Sequence, residues 1–528
     1  MKHLHLLSII ALCGCLTCNA QRQTGKAGGK KANAAAVQQI RKDSLRVDSV
    51  TRLAKAGNAN AQNTLGTYYY SGKLVKRDYD TAAKWWALSA KQNNMDAIGN
   101  LGLARQKGHG VEKDTVIALT LYKKSIAMGN KDLLKQHSEL AGKDGPFDYI
   151  LLAECTKEGI GAKKDLKKAA TLYASAAKME SVDGAREAGT LFYSLKEYSE
   201  AFPNLKYAVE NGDSKALYFY AESLFKGYGT SKNAQDAAIY MLKAAEAGNV
   251  NAAYEVAGMY NKGEGFGQSP ESAFKWYKTS ASTLPWGQWS TALCYINGIG
   301  TEVSLDEGLA WIAKAVQSSK GFLSTFQEKL TSSKENGWEG TAFSSYVKGR
   351  QQLNDGKYDD ALKTFKTLAK DAVDAKTMLG VCYSDKDWKK YDAKKAIKYF
   401  QEAADAGETK ALFLLGSMYL YGEGVGKDVK KGMALITKAA DGGYGPAQCW
   451  LGDASFEGRG VQHNEVAAAD WYQKALANGS LTAEAAGRLA TFYERGAAGL
   501  KKDKEMAKRL TEMAGKPNAL KALLEQLK

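Results

Sequence analysis

The sequence predicts an all-α protein: a right-handed α-solenoid superhelix of stacked antiparallel helix pairs, with a period of about 36 residues. Three observations carry the paired helices and their period. A small residue recurs at a fixed interval, since Ala61 to Ala97, Ala216 to Ala252, Ala375 to Ala411, Ala411 to Ala447 and Ala447 to Ala483 are each 36 residues apart. Eleven residues into each unit stands a loop glycine: Gly72, Gly108, Gly159, Gly227, Gly263, Gly298, Gly422 and Gly458. Six further on stands a side chain favoured at a helix N-cap: Asp78, Asp114, Asp165, Asn233, Ser269, Ser304, Asp428 and Asn464. Composition fits, with 53 glycines to make turns and only 6 prolines to break helices.

The elements follow in order. Residues 1–20, MKHLHLLSIIALCGCLTCNA, have a basic start and an apolar stretch too short to span a bilayer, and so predict a secretory signal. Two exits are legible: cleavage after Ala20, or a lipobox-like LCGC that makes Cys15 a lipid-bearing N-terminus. Residues 21–36 read as a flexible basic tether. Residues 37–58 supply a first helix ending in AGN, and 37–318 form a first repeat array. Two stretches break the register, 131–147 and 319–340, and the second reads as an irregular connector between arrays. A second array runs over 341–515, and 516–528 reads as a capping helix with a polar face.

Within each unit the apolar spacing before the loop glycine is helical, as in Leu65, Tyr68 and Tyr69 or Leu415, Met418 and Tyr419. The loop LYGEGVGKD (420–428) looks like a phosphate cradle. Such cradles follow a strand, whereas a helix precedes this loop and a cap follows it, so the glycines make a turn. The second helix carries small residues and an aromatic, as in Ala82, Trp85 and Trp86 or Ala468, Trp471 and Tyr472.

This pattern of A-x-x-x-L-G, G-x-G-V-x-x-D and W-Y resembles the Sel-one-like repeat family, a branch of the tetratricopeptide-repeat superfamily. The resemblance covers roughly residues 40–515, in eleven or twelve units. Two units, around Gly349–Phe365 and Gly189–Ala201, have the shorter tetratricopeptide spacing and lack the Gly-x-Gly loop.

Catalytic clustering is absent from the sequence, and no cofactor or metal is expected. His109, His137 and His463 stand in an inter-helix loop, an irregular segment and before a cap, each without a ligand-spaced neighbour. Cys155, Cys294, Cys382 and Cys449 sit one per repeat within first helices, which predicts buried, unpaired thiols. The chain lacks the paired cysteines of the Cys-rich branch of the family, so that branch's properties are not carried over. The net charge of +16 lies mostly at the ends: +7 over 21–60 and +4 over 501–528. A near-neutral middle argues against nucleic acid, while the basic tether suits an anionic membrane surface.

The resemblance implies a concave groove lined by first helices. In tetratricopeptide register it receives Asn63 and Tyr70, then Tyr218, Glu222 and Phe225, Tyr254 and Asn261, and later Phe413 and Tyr421. Aromatics with amides and acids between them suit an extended peptide or a partner helix. The expectation is a monomeric, non-catalytic interaction scaffold of a bacterial envelope, periplasmic or lipid-anchored. The alternative is an envelope enzyme or cell-wall polymer binder using the same groove.

Overall fold

A computed structural model describes residues 29–334, 337–516 and 518–527. The signal-like residues 1–20, Cys15 among them, and the tether residues 21–28 lie outside the described residues. Among the described residues every regular element is an α-helix, 28 in all. They fall into two compact units, Met1–Asn211 and Gly212–Lys528.

The first unit opens on helix Gly29–Lys55. This helix begins inside the stretch read as tether, where alanine-rich KKANAAA favours helix. Four helix pairs follow: Ala59–Ser71 with Tyr79–Lys91, Met95–Lys107 with Thr115–Ala127, Phe147–Glu158 with Leu166–Ala177, and Val182–Ser194 with Tyr198–Glu210. The second unit holds eight pairs, from Leu217–Lys226 with Ala234–Glu246 to Ala483–Arg495 with Lys504–Ala514.

Both stretches that break the register hold a helix of their own, Lys131–Leu140 and Gly321–Thr331. The second lies in the expected connector, yet the core runs through it without interruption. Phe322 and Phe326, one turn apart, are buried with Trp338 and Phe343 in the cluster that extends from Ala281 to Leu523. Trp289 and Phe322 meet at 5.2 Å, and Trp338 and Phe343 at 5.1 Å. The boundary between compact units falls instead at Asn211–Gly212, after the tetratricopeptide-like pair of the first unit.

The repeat turn has one construction throughout. The loop glycines adopt left-handed φ values, from 66° at Gly72 to 80° at Gly159, where L side chains are strained. The capping side chains then accept from a backbone N–H three residues on, at 2.9 Å for Asp78 and Asp428, 2.8 Å for Asp114 and 2.9 Å for Asp165. Ser269, Ser304 and Asn464 do the same at 3.2, 3.3 and 3.0 Å. Each cap's own N–H returns to a carbonyl nine residues earlier, as Asp78 N to Tyr69 O at 3.0 Å and Asp428 N to Tyr419 O at 2.8 Å. The turn is thus bonded at both ends by backbone groups and its own capping side chain.

The second glycine of Gly-x-Gly serves the neighbour. A Cβ on Gly110 would lie 2.0 Å from the carbonyl oxygen of Tyr79, the first residue of the preceding unit's second helix. Gly300 stands in the same relation to Pro270. Only a glycine lets one repeat's loop rest on the helix start before it.

Candidate functional site

In the first unit the expected groove side chains are largely engaged by neighbouring repeats. Asn63 Oδ1 accepts from Asn100 Nδ2 at 2.9 Å, and its carbonyl accepts from Trp86 Nε1 at 3.2 Å. Tyr70 is half-buried among Tyr79, Trp86 and His109, with its hydroxyl 3.0 Å from His109 Nδ1. Burial, and then Tyr79 nearby, push its phenol up to about 12. Tyr70 therefore packs between layers.

Further along this unit lies a polar network that inspection of aromatics missed. Glu154 receives the Tyr173 hydroxyl, Lys123 at 3.1 Å and Lys157 at 3.3 Å, and Lys157 reaches Glu187 at 3.3 Å. Burial alone would raise the Glu154 carboxyl, but these donors more than offset it and hold it at about 2. Glu154 and Lys157 occupy the same repeat positions as Glu222 and Phe225, so the signal was present in the register.

In the second unit Tyr218 lies against Phe219 at 5.3 Å and hydrogen-bonds Glu222, and burial with the adjacent Glu222 raises its phenol. Phe225 sits beneath the Lys226 ammonium at 5.2 Å. Tyr254 packs on Tyr277 at 5.6 Å, and the Asn261 carbonyl accepts from Gln268. Phe413 meets Tyr444 at 5.6 Å, whereas Tyr421 is 59% exposed. The nine positions do not form one continuous surface of free side chains.

What the fold assembles instead is a charged site from distant residues. Asp306, at the start of helix Leu305–Ser318, pairs with Arg350, with Lys410 at 2.7 Å, and accepts from the Tyr346 hydroxyl at 2.6 Å. Burial opposes its charge, but Lys410 and Arg350 hold the carboxyl well below the usual range. Beside it Asp374 accepts from Leu305 N at 2.8 Å and Ser304 Oγ at 3.1 Å. Burial, and then Asp306, raise its carboxyl to about 7. Glu408 caps helix Thr409–Tyr421 and takes the Thr377 hydroxyl at 2.8 Å. Phe413, through Tyr444, adjoins this cluster.

Next to Asp306 on the same helix, Glu307 faces Lys314 and Lys278. No ion pair within 4.0 Å joins these three among the described residues. Burial lowers both lysines, Lys314 to about 8 against the attraction of Glu307. The face of Trp311 lies 3.8 Å from the Lys314 ammonium and favours its charge. Asp306 and Lys410 are 104 residues apart, a separation that periodicity within one repeat does not reveal.

The four cysteines are buried and free, and burial raises Cys155 to about 11 and Cys294 and Cys382 to about 12. Such thiols are protonated and inert at neutral pH. His137 departs from expectation. It lies within helix Lys131–Leu140, buried, and donates from Nδ1 to Asp148 Oδ1 at 2.5 Å. Among the described residues no group of three or more His, Cys, Asp or Glu could hold a metal ion, and no helix is long and apolar enough to cross a membrane.

A bonded turn repeated along paired helices defines a helical-repeat protein. The Sel1 repeat profile matches residues 59–94, 96–130, 149–181, 214–249, 250–282, 287–319, 373–408, 409–444, 445–480 and 483–516. The chain belongs to the Sel1 repeat family. The two unmatched pairs, Val182–Ser194 with Tyr198–Glu210 and Ala342–Asn354 with Tyr358–Leu368, are those with tetratricopeptide spacing.

Among curated relatives, human protein sel-1 homolog 2 is 40% identical over 72 residues, covering 13% of this chain and 10% of that protein. HRD3A of Arabidopsis thaliana, an ERAD-associated E3 ubiquitin-protein ligase component, is 32% identical over 75 residues, 14% of this chain and 11% of that one. The chain spans about a tenth of the length of these relatives. The crystal structure of c5321, a protective antigen of uropathogenic Escherichia coli with an SLR fold, aligns over 91% of this chain and 97% of its own at 22% identity, with a TM-score of 0.35.

Proposed function

We propose that the chain is a non-catalytic scaffold that binds protein partners, peptides or helices, through its helical array in a bacterial cell envelope. Family membership supports the scaffold reading, as does a relative named as a component of a ligase assembly. The signal-like residues 1–20 support export, periplasmic or lipid-anchored at Cys15, and the basic residues that follow support contact with anionic lipid.

The observation that carries the reading is the charged site of the second unit. Lys278, Glu307 and Lys314 are partly withdrawn from water yet unpaired, beside Asp306, Arg350 and Lys410, which are fixed in place. A rigid arrangement of both signs in a partly desolvated setting is poised to recognise a chain carrying the complementary charges.

The test is capture from crosslinked envelope extract with the chain from Gln21 onward, against a Lys278→Ala, Glu307→Gln variant that keeps wild-type helical circular dichroism. A second variant, Phe225→Ala with Tyr421→Ala, probes the groove positions least engaged by packing. A discrete protein lost by either variant places recognition at that variant's residues. Retention of purified cell-wall polymer with no protein partner overturns the scaffold reading in favour of a polymer binder.

A further inference from the structure

The helix Ala519–Gln526 does not cover the last repeat pair. It packs against helices Leu305–Ser318 and Ala342–Asn354, some 160 residues or more upstream, within the same compact unit. Leu523, 1% exposed, belongs to the core there, with Ala519, Leu520 and Leu527 partly buried on it, and Leu524 is itself 4% exposed. Leu520, Leu523, Leu524 and Leu527 are spaced at 0, 3, 4 and 7, the stripe of an amphipathic helix laid on a groove. At the far end Glu525 Oε1 accepts from Asn354 Nδ2 at 3.4 Å.

An eight-residue helix is too short to hold its form alone in water, so its helicity depends on the surface that seats it. That surface is made by the helices that carry Asp306, Glu307 and Lys314 on one side and Tyr346 and Arg350 on the other. The segment behaves as a ligand joined through GKPN (515–518) more than as the end of the stack.

We propose that this seat is a helix-recognition site, occupied in the free protein by Ala519–Gln526, and that its external partner is an amphipathic helix. That partner presents apolar side chains at the same four spacings and an acid opposite Asn354. The proposal rests on the scaffold reading and gives it a site and a partner chemistry. Binding then requires the resident helix to leave, which lowers the apparent affinity of an outside helix by the fraction of time the seat is open.

The experiment uses a labelled peptide of residues 516–528, KPNALKALLEQLK, and fluorescence anisotropy. It compares the full chain with the chain ending at Gly515. The expected result is saturable binding to the shortened chain, at least about tenfold tighter than to the full chain. The peptide with Leu523→Asp and Leu524→Asp should not bind, and Asn354→Asp in the shortened chain should weaken binding severalfold by opposing Glu525. Hydrogen exchange on the full chain should find the amides of 519–526 less protected than those of 305–318.

Equal affinity for both chains overturns the proposal, as does a shortened chain that keeps its circular dichroism but ignores the peptide. A shortened chain that unfolds, or protection of 519–526 equal to that of 305–318, makes the helix an integral staple and also overturns it. None of these readouts needs an envelope partner, so failure of the scaffold reading in the capture experiment is separately visible.

Discussion

At the scale of single residues the loops and the charged site are under different constraints. Gly57 and Gly110 both adopt left-handed backbone, φ 94° and 72°, but only Gly110 has another chain segment where a Cβ would go. Gly57→Ala should cost about 1–2 kcal/mol, from the left-handed backbone alone. Gly110→Ala should cost several-fold more and lower the melting temperature of the first unit, because Tyr79's carbonyl cannot move without its helix. Parallel thermal melts of the two variants check this.

Asp374 gives a pH dependence with a definite sign. Its carboxyl, ordinarily at 3.8, is raised to about 7 in the folded chain, so the folded state holds the proton more tightly than the unfolded one. The stabilisation is fully present below about pH 4 and is lost as pH rises through 7, up to about 4 kcal/mol in all. Asp374→Asn keeps a neutral acceptor for Leu305 N, so the wild type should lose stability relative to this variant between pH 4 and 7. Urea unfolding at several pH values measures the difference, and a constant gap would contradict it.

At the scale of elements, a repeat is two helices fastened by a bonded turn and, in two repeats, also by a side-chain tie across the pair. The tie recurs at the same spacing: Tyr173 donates to Glu154, and Tyr472 donates to Asp453 at 2.6 Å, each nineteen residues apart. The next repeat supplies a cation, Arg488 to Asp453 at 2.7 Å. Tyr472→Phe should loosen the pair Gly445–Glu457 with Glu465–Ala477 by about 1.5–3 kcal/mol, the value of a hydrogen bond to a charged group. Hydrogen exchange should report this locally, with distant repeats unmoved. The helix pairs were legible in the sequence because they rest on local chemistry: Asp78 and Asp428 cap, Gly72 and Gly422 turn, and Trp86 and Tyr472 fill. The interior charged site was not, because Asp306 meets Lys410 only once several repeats have stacked. The tyrosine anchors were half legible. Tyr70 and Tyr254 stand at groove register, but register does not say whether a ring faces solvent or the next layer.

At the scale of the molecule, the chain is two compact units joined at a point that composition did not mark. The 319–340 stretch looked like a boundary because it lacks the loop glycine and cap, yet Phe322, Phe326 and Trp338 keep it in the core. The division between the compact units falls in an ordinary polar loop between helices Tyr198–Glu210 and Leu217–Lys226, with Lys215 exposed. Limited trypsin digestion should cut first at Lys215 and leave two resistant fragments. First cleavage within 319–340 would argue for the other division.

In the second unit the pairing of Asp306 with Lys410 and the seating of Ala519–Gln526 on Leu305–Ser318 join parts of the chain made far apart in time. A simple repeat array folds with low contact order, each unit settling on the one before it. Here the Leu305–Ser318 face waits for some 200 further residues to leave the ribosome, roughly 10–40 s at ordinary elongation rates. Wherever the chain folds as it emerges, an apolar surface stands open until residues 519–526 arrive. A chaperone or partner present at that place would meet it first.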